Sequence, residues 1–175
     1  MVSLKATNTI EKKLDNYLKS NLEIDILAET SIEINQEEQS LYRARNQSFA
    51  GKSNINTYLN KELDQNNFQK ILFNLIDKSG KKDSDIYNKA YIDRRLFSKI
   101  RSDSNYHPSK NTVISLGLAL NLDIDKFETL LNSASYSLPK NNYFDLIIRF
   151  CINEKIYNII DVNNYLDKYN CNTLN

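Results

Sequence analysis

Few residues in this chain interrupt regular structure. Its 175 residues include three glycines and two prolines, and tryptophan is absent. Glycine and proline are the strongest signals of turns and loops, so their scarcity leaves few breaks in secondary structure. Leucine and isoleucine recur at spacings of three and four residues, which is the period of an amphipathic helix. The sequence therefore predicts an all-α protein.

Cysteine, histidine and long apolar runs are also scarce. Cys151 and Cys171 are too few for a disulfide scaffold, and neither has a cysteine or histidine at metal-ligand spacing. Cys151 lies in an apolar helical pattern, which predicts a buried thiol. No apolar run approaches the roughly 20 residues of a membrane span, and residues 1–14 lack the apolar core of a signal peptide. We expect a cytoplasmic protein that uses no metal, cofactor or membrane.

Catalytic motifs are a further absence. The single histidine, His107, lies between Tyr106 and Pro108 in a polar loop. A nucleophile elbow, a glycine-rich phosphate loop and a set of metal ligands are all missing from the sequence. The sequence therefore predicts a protein that is not an enzyme.

Charge is nearly balanced over the chain but unevenly distributed. The formal net charge is +1. Residues 80–112 contain eight basic and four acidic side chains, a local charge of +4, whereas residues 1–66 contain eight basic and ten acidic ones. A basic patch on a near-neutral chain is typical of a module that contacts phosphate with one face.

The segment from Lys82 to Asp103 carries the clearest functional signal. It contains two short stretches with apolar residues at helical spacing, separated by a turn, and the second stretch is basic. Such a pair is typical of a helix-turn-helix that lays its second helix in the DNA major groove. If Phe97 and Ile100 point into the core, the outer side consists of Arg94, Arg95, Ser98 and Lys99. An aspartate, Asp93, is well placed to cap the second helix.

This segment resembles the helix-turn-helix of the Cro and phage-repressor type, the XRE-like family. Ile86-Tyr87 stand at the family's Leu-Ala, Ala90 at its small residue, and Tyr91-Ile92-Asp93 at its Gly-Val-Ser turn. Residues 68–80 are similar to the family's first helix. Residues 112–127 are similar to its fourth helix and the start of its fifth.

The resemblance covers about residues 67–135 and departs from the family at three positions. Tyr87 replaces a small residue where two helices touch, and Leu96 replaces a polar side chain that faces DNA. Tyr91 replaces the glycine of the turn. A positive φ costs a residue with a side chain about 1 kcal/mol, so we expect an ordinary backbone conformation at Tyr91.

The resemblance implies a five-helix DNA-binding unit and gives roles to the polar residues of the segment. Arginine forms paired hydrogen bonds to guanine, and serine or lysine can contact several bases. The base-contacting positions would be Arg94, Arg95, Ser98 and Lys99. Phosphate contacts set the register without reading the sequence, and they would come from Lys82, Lys89, Arg101, Lys110 and Asn111. His107 would lie near the DNA backbone.

Helical extensions flank this unit, which we place at residues 67–138. Residues 1–66 are predicted to be a helical N-terminal extension, with a first helix from Thr9 to about Asn21, helix again at 22–28 and a mobile segment near 28–54. A short helix from Ile55 follows. Residues 139–175 are predicted to form a two-helix C-terminal extension.

The C-terminal extension carries a wide apolar stripe, and such a stripe must be covered. Two alternatives are open. Either it completes the core by packing on the helices at 111–134, or it binds a second copy or a partner's helix. The residues assigned to this candidate partner surface are Tyr143, Phe144, Ile147, Phe150 and Ile160.

Two functions follow from these observations as expectations. The first is a DNA-binding transcriptional regulator, a repressor that contacts double-stranded DNA as a homodimer. The second is an adaptor or inhibitor in a phage, toxin-antitoxin or defence context, whose repressor-like domain binds protein instead of DNA. Tyr87, Tyr91 and Leu96 favour this second expectation.

Overall fold

The computed structural model describes residues 2–28 and 67–174, with side chains at 9–22 in the first range and throughout the second. The described residues form helices and no strand, which confirms the all-α prediction. The helices are α1 (Val2–Ala28), α2 (Phe68–Ser79), α3 (Asp83–Lys89), α4 (Arg94–Ser102), α5 (Lys110–Ala119), α6 (Ile124–Ser133), α7 (Tyr143–Asn153) and α8 (Ile159–Lys168). None of them is long and apolar enough to cross a membrane.

The N-terminal helix is longer than predicted. Residues 22–28 are helical, as expected, but α1 begins at Val2, so the predicted start at Thr9 is wrong. The mobile segment predicted near 28–54 lies outside the described residues, apart from Ala28 at its edge. The helix predicted from Ile55 also lies outside them.

Short polar side chains begin most of the helices between residues 67 and 174. The Asp93 carboxylate accepts a hydrogen bond from the Arg95 amide, and the Asp123 carboxylate accepts one from the Lys126 amide. Such caps satisfy amides that have no partner inside the helix. The same role falls to Asn67, Ser109, Asn142 and Asn158. Only α3, which follows Lys82, lacks a side-chain cap in this range.

Left-handed residues end every helix of this range except α4, and most of them are not glycine. Besides Gly80, φ is positive at Tyr91, Asn121, Ser135, Lys155 and Asn170. After each of these five, the next amide donates to the carbonyl five residues earlier, as in Ile92 to Tyr87 at 2.9 Å and Ile156 to Cys151 at 2.7 Å. This is the Schellman motif, which satisfies the last carbonyls of a helix. Tyr91 has φ +53°, so the predicted ordinary conformation is wrong.

Helix α5 lies at the centre of the fold. Every residue from Val113 to Leu120 is buried. Helices α3 and α6 pack on α5, α2 packs on α6, and α7 joins α6 to α1 and α8. Gly117 permits the close approach of α5 and α6, because a Cβ atom there would lie 2.5 Å from the Phe127 ring.

The N-terminal helix closes the other side of the molecule. Leu14 and Leu18 are buried in the common core, and the Tyr17 ring lies 5.6 Å from that of Phe150 on α7. Polar contacts surround these apolar contacts of α1. They join Lys13 to Glu154 at 3.1 Å, Lys168 to Glu11 at 3.1 Å, and the Tyr169 hydroxyl to Asp15.

We expect Gly117→Ala to lower the free energy of unfolding by about 1–2 kcal/mol. The added methyl group overpacks the contact with Phe127, at a cost of about 1–3 kcal/mol, which exceeds the 0.5–1 kcal/mol that alanine gains in a helix. Urea unfolding followed by circular dichroism measures the difference. The double variant Gly117→Ala/Phe127→Leu should recover part of the loss. An unchanged or more stable Gly117→Ala protein would contradict this packing.

We expect Tyr91→Gly to raise the free energy of unfolding by about 1 kcal/mol, because glycine adopts a positive φ without strain. The same unfolding measurement tests it. Tyr91→Ala is the matched control, since it removes the ring but keeps the Cβ atom that causes the strain. A gain from alanine equal to that from glycine would show that the backbone conformation is not the cause.

Candidate functional site

Helix α4 is anchored through one apolar side. Phe97 and Ile100 are buried, and the Phe97 ring lies 5.9 Å from Phe73 of α2 and 5.6 Å from Tyr87 of α3. The Gln69 side-chain amide donates to the Ile100 carbonyl at 3.1 Å, which fixes the last turn. The orientation of α4 is therefore set by aromatic contacts from the two preceding helices.

The opposite side of α4 is polar and open. Arg94, Arg95, Ser98 and Lys99 are all exposed. The Lys99 ammonium lies 4.6 Å from the centre of the Tyr106 ring, a cation–π contact that leaves its charge uncompensated. Within the described part of the chain, Arg94, Arg95 and Lys99 form no ion pair. We call these four residues the α4 basic face.

Arg101 borders this face but has partners in the chain. Its guanidinium pairs with the Asp83 carboxylate at 2.6 Å and lies 4.0 Å from the centre of the Phe73 ring. The contact joins the end of α4 to the start of α3. Both side chains of the ion pair stay nearly half exposed, so the guanidinium can still reach a ligand.

Two further lysines, one just before α3 and one at its last position, are also accessible to solvent. Lys82 is exposed, and Lys89 is exposed with its ammonium donating to the Asn121 side chain at 3.1 Å. Lys81 turns inward and donates to the Ala119 carbonyl at 3.4 Å. Burial and the nearby charge of Lys89 lower the pKa of Lys81. Exposed lysines therefore lie at both ends of α3.

Lys110 and Asn111 are bound to the C-terminal extension instead. The Lys110 ammonium lies 2.6 Å from the carboxylate of Asp145, which is 3% exposed. Asn142 donates to the second oxygen of that carboxylate at 2.7 Å. The Asn111 amide donates to the Leu174 carbonyl at 3.2 Å. Because both predicted phosphate contacts serve internal bonds, they fall outside the proposed surface.

The predicted partner stripe divides between core and surface. Ile147 is fully buried and Phe150 is 3% exposed, so these residues complete the core of their own chain. Phe144 is partly buried beside Lys110. Tyr143 and Ile160 are 47% and 52% exposed. They lie at opposite ends of the α7–α8 pair, since Tyr143 stacks on Tyr169 beyond the far end of α8.

The remaining reactive groups are engaged structurally. The thiol of Cys151 is buried, as predicted, and burial raises its pKa to about 12. The Tyr136 hydroxyl donates to the Pro108 carbonyl at 3.1 Å and lies 3.4 Å from the His107 ring nitrogen. No cluster of three potential metal ligands occurs in the ranges that the structure describes.

One aromatic residue beside α4 is strongly exposed. Tyr91 is 57% exposed, three positions before α4 begins. The sequence marked it as a departure from the turn pattern but gave it no place among the DNA-contacting residues. Tyr91 also borders a cleft of 560 Å³ with Lys89, Lys155 and Asn158.

We expect Phe150→Asp to abolish cooperative folding, because it places an unpaired carboxylate in the core. Ile160→Asp is the matched control and should keep the fold, since residue 160 is exposed in the first turn of α8. Circular dichroism and sedimentation velocity measure both variants. A folded, monomeric Phe150→Asp protein would instead place Phe150 at an interface between chains.

Comparisons with known proteins add no relative to this description. No family model, no curated protein and no solved structure matches the chain. The function is therefore argued from the surface around α4 and from the contacts that hold it in place.

Proposed function

We propose that the protein is a sequence-specific DNA-binding transcriptional regulator, in which α3 and α4 act as a helix-turn-helix. The observation that carries the proposal is the α4 basic face. It consists of a serine and three cations that form no ion pair among the described residues, on the exposed side of a helix whose other side is anchored in the core. An amphipathic helix of this kind presents hydrogen-bond donors to a ligand on one side while its apolar side stays packed in the core.

The size and chemistry of α4 support insertion into a major groove. An α-helix with its side chains is about 10–12 Å in diameter, which fits the roughly 12 Å width of the groove in B-DNA, and the nine residues of α4 supply about 13 Å of helix to lie in it. Arginine forms bidentate hydrogen bonds with guanine, and serine and lysine contact several bases. In this proposal Arg94, Arg95, Ser98 and Lys99 read base edges.

Three more cations supply sequence-independent contacts in the proposal. Lys82, Lys89 and Arg101 are exposed near α3 and the end of α4, where the two DNA strands would flank the inserted helix. Each phosphate contact releases condensed counterions, which makes binding depend on salt. A handful of such contacts gives weak binding for one unit, so regulators of this type gain affinity from two units on one site.

We expect Arg95→Ala and Lys99→Ala to weaken sequence-specific DNA binding by about 1–3 kcal/mol each. DNA selected by the full chain from a random-sequence pool is the probe, and electrophoretic mobility shift across a salt series is the measurement. The affinity of the unmodified protein should fall steeply with salt because of its phosphate contacts. Each substitution should weaken binding to the selected DNA more than binding to mixed-sequence DNA, because the lost contact is to a base.

Lys140→Ala is the matched control for lost charge. Lys140 is an exposed lysine in the loop before α7, outside the proposed surface, so its removal should leave affinity and salt dependence unchanged. An equal loss from Lys140→Ala would show that binding follows net charge rather than the α4 basic face. A chain that selects no DNA even at low salt would refute the proposed function and favour the protein-binding adaptor.

A further inference from the structure

Tyr91 combines a strained backbone with an exposed aromatic ring. Its φ is +53°, a conformation that costs a residue with a side chain about 1–2 kcal/mol. Buried contacts compensate such strain at many sites, but more than half of the Tyr91 side chain is open to solvent. Hydrogen bonds of the turn hold the backbone in this conformation, and residues held in strained conformations cluster at functional sites.

The other left-handed helix ends show that the turn does not require tyrosine. Asparagine occupies this conformation at Asn121 and Asn170, and its short polar side chain tolerates it well. Serine and lysine occupy it at Ser135 and Lys155. The Schellman bonds are the same at all five positions. The turn itself therefore does not explain why a large aromatic residue occupies position 91.

The position of Tyr91 beside α4 offers an explanation for the aromatic residue. It lies two residues before Asp93, the cap of α4, and beside the N-terminal end of that helix. The N-terminal residues of a recognition helix enter the groove first. A side chain just before them would lie at the rim of the groove, where the phosphates are. Lys89 and Lys155 border the same cleft together with one carboxylate, Asp161, so positive charge exceeds negative charge by one in its lining.

We propose that Tyr91 binds the DNA backbone, with its phenol hydroxyl donating a hydrogen bond to a phosphate oxygen at the edge of the groove. This inference rests on the proposed function of α4. Tyrosine is among the side chains that contact phosphates, and such contacts position a protein without reading bases. The aromatic ring adds a rigid spacer that carries the hydroxyl beyond the capped turn.

Tyr91→Phe is the direct test, because it keeps the ring and the backbone strain and removes only the donor. The probe is a mixed-sequence duplex of about 30 base pairs at low salt, titrated with the full chain. The expected result is a loss of affinity of about tenfold, equal on selected and mixed-sequence DNA. The salt dependence should not change, because a neutral phenol releases no counterion.

Tyr91→Gly gives a second, independent reading. It should raise the melting temperature and weaken binding in the same protein, a pairing that a purely structural residue would not produce. Ser135→Gly is the matched control, since it relieves the same backbone strain at the end of α6. It should raise the melting temperature and leave DNA affinity unchanged.

Each outcome decides the inference. Wild-type affinity in Tyr91→Phe would overturn it whatever Tyr91→Gly does, because the proposed contact is made by the hydroxyl, and the proposed function would stand provided that Arg95→Ala still weakens binding. Equal weakening by Ser135→Gly would also overturn it, because relief of strain would then be the cause. If the unmodified chain binds no duplex, the proposed function and this inference both fail.

Discussion

The burial of α5 from Val113 onward is the constraint on which the rest of the structure depends. Helix α5 has no exposed residue from Val113 to Leu120, so neighbouring helices must cover all of its sides. Gly117 brings α6 close enough to do this, and α3 covers another side. Burial of α5 has a cost in free energy, because the buried Ser115 hydroxyl has no hydrogen-bond partner among the described residues. Because α3 is fixed on α5, the turn that follows directs α4 outward.

The N-terminal helix and the C-terminal helices also stabilise this arrangement. Asp145 binds Lys110 and Asn142 together, which joins the first turn of α5 to the first turn of α7. A buried carboxylate of this kind is tolerated because a cation and a hydrogen-bond donor both reach it. The α4 basic face thus stands on a core to which α1 and the C-terminal helices contribute, and the ion pairs within the described part of the chain involve other side chains.

Local chemistry made much of the fold predictable. Helix periodicity placed Phe97 and Ile100 inside, and short polar residues such as Asp93 marked helix starts. Partners distant in sequence were not predictable. Nothing near Lys110 indicates Asp145, and the burial of Phe150 depends on Tyr17 of α1. The conformation of Tyr91 escaped prediction because the Schellman bonds outweigh the steric cost that disfavours tyrosine there.

The docking of α1 on the C-terminal helices has a consequence for biosynthesis. The ion pair between Lys13 and Glu154 joins residues 141 positions apart, and the apolar contacts beside it span similar separations. At about 5–20 residues per second, a ribosome needs on the order of ten seconds to make that length of chain. Leu14 and Leu18 leave the ribosome long before the residues of α7 have been synthesised. The nascent polypeptide therefore carries the apolar side of α1 without its α7 partners until about residue 154 has been made, and exposed apolar surface of this kind is what chaperones recognise.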